Sequence, residues 1–133
     1  MPIRACIVVL AVVCIISYAY SREPSQRQMH EAFDHYLTDV TARTLEFIRE
    51  TGGSAAVKRV KAAGNDRFEI QAFRKLGCRR SRAKQGYDCS FKADIITVHG
   101  LTQRTLEGRF YNTPSGVGFE LIDQPSRHSV ALR

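Results

Sequence analysis

The sequence predicts an α+β fold: a long N-terminal helix and a short second helix packed on a four-stranded antiparallel meander. Two observations carry this. From Ser25 to Glu50 there is no glycine or proline, and apolar residues recur at helical spacing. Beyond Asp66 the period changes to two, in four segments separated by turn residues. A third observation, the pair Cys78 and Cys89, fixes how the first two strands face each other.

Ahead of the helix, Met1-Pro2-Ile3-Arg4 gives a short basic start, and Ala5–Tyr20 is a 16-residue run without charge. Ala19-Tyr20-Ser21 closes it in the small-x-small pattern of a signal-peptide cleavage site. The run is shorter than the ~20 residues that span a bilayer. The expectation is a signal peptide over 1–21, one domain over 22–123, and a disordered tail over 124–133. A retained membrane anchor is the alternative, and membrane association is expected only in that case. The chain is thus read as secreted or periplasmic.

The helix is expected to start at Ser25, because Ser25-Gln26-Arg27-Gln28 fits a capping box. Met29, Phe33, Tyr36, Leu37, Val40, Thr44, Phe47 and Ile48 fall on one stripe that faces a core. Gly52-Gly53 ends it. Ser54 then caps a short second helix with Val57 and Val60 turned inward.

Four strands come next. Phe68, Ile70, Ala72 and Leu76 alternate with polar residues, as do Cys89, Phe91, Ala93 and Ile95, then Leu106 and Phe110, then Val117, Phe119 and Leu121. Antiparallel partners keep a constant sum of residue numbers. Cys78 opposite Cys89 gives 167, and with it Leu76 opposite Phe91, Ala72 opposite Ile95, and Arg74 opposite Ala93 on the core side. Phe73 then falls on the other face. A two-residue turn at Gly100-Leu101 pairs His99 with Thr102, Ile95 with Leu106 and Phe91 with Phe110. Asn112 opposite Val117 encloses Thr113–Gly116 and sets Phe110 against Phe119. All three turns keep one apolar face, which a one-residue slip would invert.

The net charge is +7 over 133 residues. Without Arg4 the balance is 19 cations against 13 acids, or +6. That suits anionic partners: acidic protein, lipid head groups or nucleic acid. Cys6 and Cys14 leave with the leader, and the remaining even pair, Cys78 and Cys89, reads as a disulfide in an exported chain. Between them RRSRAKQGYD carries Arg79, Arg80, Arg82 and Lys84. Arginine pairs bidentately with phosphate and carboxylate, so these four are the candidate anion- or partner-binding residues. Only Tyr87 is aromatic there, and no specific nucleic-acid motif is present.

No catalytic residues, metal ligands or cofactor are assigned. His30 and His35 lie five apart, ~140° around a helix, where metal pairs use i,i+4. Glu31 and His35 are expected as a surface pair. No serine sits in a GxSxG elbow.

A long N-terminal helix leading into a four-stranded meander resembles the cystatin-like fold over Ser25–Asp123. The strings LGC at Leu76–Cys78, GYDCSF at Gly86–Phe91 and GRFY at Gly108–Tyr111 look like those of small exported proteins of proteobacteria. True cystatins inhibit papain-like proteases through QxVxG and Pro-Trp hairpins. This chain has no such QxVxG and no tryptophan, so no inhibitory residue carries over. The leading expectation is a non-enzymatic binding or adaptor domain for a protein or an anionic envelope component. A small periplasmic enzyme and a protease inhibitor are the alternatives.

Overall fold

The computed structural model describes residues 22–122. The expected signal peptide (1–21) and the expected tail (124–133) lie outside the described residues. One helix packs on one antiparallel sheet: α1 (Gln26–Ala62), β1 (Glu69–Arg80), β2 (Tyr87–Thr97), β3 (Gly100–Thr113) and β4 (Gly116–Leu121), in the spatial order β1-β2-β3-β4. Among the described residues no helix is long and apolar enough to cross a membrane.

The expected capping box is present. The Ser25 hydroxyl accepts from the Gln28 backbone N–H at 3.2 Å, and the Gln28 side chain accepts from the Ser25 backbone N–H at 2.9 Å. The helical backbone is interrupted at the expected place, Gly53, whose φ of 74° and ψ of 179° lie outside the helical region, and it resumes beyond, so that α1 spans a kink there. Glycine reaches this conformation without a steric penalty.

The expected helix stripe docks only over its first three turns. Met29, Ala32 and Phe33 are buried, and Tyr36 and Leu37 pack against the buried cluster. Beyond them Val40 is 41% exposed and Phe47 63% exposed. Phe33 is the hub of the core. Its ring meets Phe91 at 5.0 Å and Phe119 at 5.4 Å, both edge-on, the arrangement aromatic quadrupoles favour. Phe110 closes on Phe119 at 4.9 Å, and Phe73 stacks on Phe91 at 4.9 Å.

The third hairpin pairs as expected, with Asn112 opposite Val117 and Phe110 opposite Phe119. The second keeps its face but not its partners. Thr97 pairs with Gly100 across a Val98-His99 turn, so Phe91 faces Leu106 rather than Phe110, and Ile95 faces Thr102. The sum is 197 instead of 201. An even change leaves every side chain on its expected face. The glycine does not occupy the first central position of the turn; it comes just after the turn, at φ 102°. This is where a hairpin takes a left-handed glycine bulge.

The first hairpin departs most. Cys78 and Cys89 are opposite one another and joined by the expected disulfide. Register shifts between Ile70 and Ala72 and between Lys75 and Gly77 then change the rest. Phe73, not Arg74, faces Ala93. Arg74 pairs with Lys92, Lys75 with Phe91, and Leu76 bulges outward at 46% exposed. The physical reason is direct. Regular pairing would bring a guanidinium onto the apolar face, at heavy desolvation cost, and expel a phenyl ring. The bulge at Leu76 exchanges them, and the second shift returns Ile70 to the core side opposite Ile95. Phe73, half-buried against the core, gains part of the ~1.5–3 kcal/mol that full burial of an aromatic side chain gives.

Candidate anion-binding site

The bulge near Leu76 also holds the start of the domain. Lys75 lies on the core side of β1 but reaches out to the rim. Its Nζ donates to the Pro24 carbonyl at 2.8 Å and pairs with the Glu23 carboxylate. Its backbone N–H donates to the Gln26 side-chain oxygen at 3.0 Å. The chain is therefore tied to the sheet within two residues of Arg22, at the same end as the disulfide.

That end carries the candidate cations. Arg79 and Arg80 are the last residues of β1, opposite Asp88 and Tyr87. The Arg80 guanidinium lies 5.9 Å from the Tyr87 ring centroid, within cation–π reach. Arg82 and Lys84 sit in the loop 81–86, which is closed by a hydrogen bond from the Ser81 N–H to the Gly86 carbonyl at 3.0 Å. All four side chains are exposed. Arg22, Arg80 and Lys84 border one cleft of about 270 Å³, floored by Tyr87, Phe110 and Tyr111. The structure thus brings Arg80 and Lys84 together with a cation the sequence did not single out, Arg22, while Arg79 borders a separate cleft beside Asp88 and Glu107 and Arg82 lies outside both.

Lys84 is partly engaged. Its Nζ bonds the Glu120 carboxylate at 3.0 Å, and Arg109 holds the same carboxylate through Nε at 3.0 Å. Arg109 also donates to the Gln85 carbonyl at 2.5 Å. The hydrogen bond from Arg109, then that from Lys84, holds the Glu120 carboxyl below its ordinary value of 4.5, against a smaller opposing effect of burial. Arg109 stacks over Tyr111 at 4.4 Å. The Tyr111 ring in turn lies across Gly118, where any Cβ would come within 2.7 Å of it. One acid thereby clamps the loop to β3 and β4. At this end stand Arg22, Lys75, Arg79, Arg80, Arg82, Lys84 and Arg109, against Glu23, Asp88, Glu107 and Glu120. Seven cations against four carboxylates leave an excess of +3.

Arg109 and Glu120 are not singled out by the sequence reading, yet a signal existed. The sum that pairs Phe110 with Phe119, 229, also pairs Arg109 with Glu120. Lys84 had no such signal, because a loop has no register. Elsewhere the His30 ring stacks on Phe73 at 5.3 Å. Glu31 pairs with Arg27 at 3.8 Å rather than with His35, one turn back instead of one turn forward. Among the described residues no three His, Cys, Asp or Glu side chains gather as a metal-binding group.

No protein-family model, curated protein or solved structure matches this chain.

Proposed function

We propose that this chain is an exported, non-enzymatic binding domain of cystatin-like build, whose basic hairpin end docks an anionic partner. The observation that supports the reading is the placement of Arg79, Arg80 and Arg82. They are exposed at one end of the sheet, Arg80 borders a cleft with Arg22 and Lys84, and the Cys78–Cys89 bond and the Glu120 clamp both fix the loop that presents them. A loop held at both ends loses little conformational freedom on binding, so more of each ion pair is retained as affinity. Guanidinium groups suit carboxylate or phosphate oxygens. The partner is an acidic protein or an anionic component of the envelope.

Retention on a heparin column tests this. Arg79→Gln with Arg80→Glu and Arg82→Glu is the variant of choice. Glutamine at 79 avoids setting two acids opposite one another across Asp88. The variant is expected to melt within a few degrees of the wild type, since exposed loop charges contribute little to stability. It is expected to elute at clearly lower salt, with a shallower salt dependence. Elution at the same salt as the wild type would reduce the loop to a solvated surface.

A further inference from the structure

The basic end is also the end at which the apolar run enters the domain. Ala5–Tyr20 carries no charge, and only Ser21 stands between it and Arg22. Arg22 borders the cleft of Arg80 and Lys84. From Glu23 onward the chain is pinned to β1 by Lys75, which holds both Glu23 and the Pro24 carbonyl, and by the Gln26 side chain on the Lys75 N–H. In sequence, Ser21 and Arg22 are all that separate the apolar run from this pinned segment. The opposite end, where Gly64 abuts Val98 at the tip of the second hairpin, lies a full sheet length away.

We infer that the basic end is a membrane-facing surface, with Arg22, Arg79, Arg80, Arg82 and Lys84 resting on the head groups of an anionic bilayer. This rests on the anionic-partner reading above and names the partner class. A run of uncharged residues brought to a bilayer delivers the next residues of the chain to the head-group layer. In this chain those residues are Arg22 and the cationic surface around it. Each basic side chain near an anionic leaflet strengthens attachment about fivefold, an effect confined to roughly one Debye length. Only a cationic surface at this end falls within that distance. If the run is removed after Ser21, the new α-amino group adds a further positive charge at the same place, and the same face adsorbs without a tether. A single weak apolar signal gives marginal membrane attachment, and a polybasic surface beside it makes attachment stable.

The test uses the full-length chain on vesicles of phosphatidylcholine alone and on vesicles rich in phosphatidylglycerol. Trypsin cleavage after Arg82 is timed by mass spectrometry against cleavage after Arg67, an exposed site at the opposite end of the molecule. Both sites belong to one molecule, so unequal vesicle loading cancels. Cleavage after Arg82 is expected to slow about tenfold relative to Arg67 on the phosphatidylglycerol vesicles only, and to recover in high salt. Arg79→Gln with Arg80→Glu keeps the Arg82 site and should lose most of the protection. Equal ratios on both vesicle types would overturn the membrane contact, and so would protection that survives the substitutions or high salt. Soluble heparin separates the two readings. Protection by heparin but not by vesicles removes the bilayer and keeps an anionic partner, whereas protection by neither removes both.

Discussion

The two ends of this molecule are built on different terms. At the disulfide end, three turns of α1 press Phe33 into a nest of Phe91, Phe110 and Phe119, and the Cys78–Cys89 bond and the Lys75 contacts fasten the margins. Past Val40 α1 runs on for about 18 Å before its kink at Gly53, judged from the rise per residue, and there Phe47 is 63% exposed. That stretch has local support, with Arg43 paired to Asp39 at 2.7 Å and Arg49 paired to Glu46. Such pairs contribute only ~0.3–0.5 kcal/mol each. Stability is thus concentrated at the end that also carries the cationic surface. A surface that must hold several like charges together gains from standing on the rigid part of the fold.

The strongest way to break this comparison is a matched pair of truncations. Phe33→Ala is expected to cost ~3–5 kcal/mol, because it empties the centre of an aromatic cluster that cannot collapse around the gap. Phe47→Ala, the same chemical change on the same helix, is expected to stay within about 0.5 kcal/mol. Chemical denaturation of both variants measures the difference. Similar losses would mean that the second half of α1 is covered by something, and that the two ends are equal.

Next in size is the disulfide. Replacing both Cys78 and Cys89 by alanine releases a loop closed over a sequence separation of 11. The chain-entropy account gives a loss of roughly 3 kcal/mol. The loss is expected to be local in its consequences. Amide exchange should quicken in β1 and the basic loop, while the Thr97–Gly100 turn at the far tip keeps its protection. Uniform acceleration across the sheet would show that the two ends share one cooperative unit.

How much of the fold is legible in the sequence depends on what parity does and does not constrain. Face assignments in β2, β3 and β4 were legible, because alternation decides the face and an even slip preserves it. The second hairpin shows the limit: Phe91 remains on the core side while its partner is Leu106 instead of Phe110. In β1 the alternation itself misleads. Ala72 and Leu76 match the apolar period, but the cost of burying Arg74 selects a bulge at Leu76 that exchanges Phe73 for it, and a second shift restores Ile70 to the core side. An arginine on the core side of an otherwise apolar register was the available warning. The helix stripe was legible as a helix, but not in how far it docks. Periodicity reports which side is apolar, and the sheet it meets decides how much of that side is covered. At the candidate site, Arg79, Arg80, Arg82 and Lys84 were visible as a charge run. Arg22 was not, because only the Lys75 contacts to Glu23 and Pro24 hold the start of the domain beside them.

The smallest expected effect sharpens the comparison at the site itself, through Glu120. Its carboxylate is shared by Arg109 and Lys84, and the hydrogen bonds from these two lower its pKa from an ordinary 4.5. A depressed carboxyl contributes stability that is present above the unfolded-state pKa and is lost as the pH falls through the folded-state value. Glu120→Gln removes the charge and keeps the shape. The wild type is therefore expected to melt slightly above the variant at neutral pH, and the gap should close progressively below about pH 4.5, as protonated Glu120 comes to resemble glutamine. Salt should narrow the neutral-pH gap as well, since the carboxylate is open to solvent. The Arg109 stack on Tyr111 over Gly118 does not depend on the acid, so the sheet beneath should be undisturbed. What the variant should lose is the fixed position of the loop, visible as faster amide exchange at Gln85 and Gly86 at neutral pH. A gap that persists unchanged into acid would mean that Glu120 acts by packing. The cationic surface would then be held by the disulfide alone.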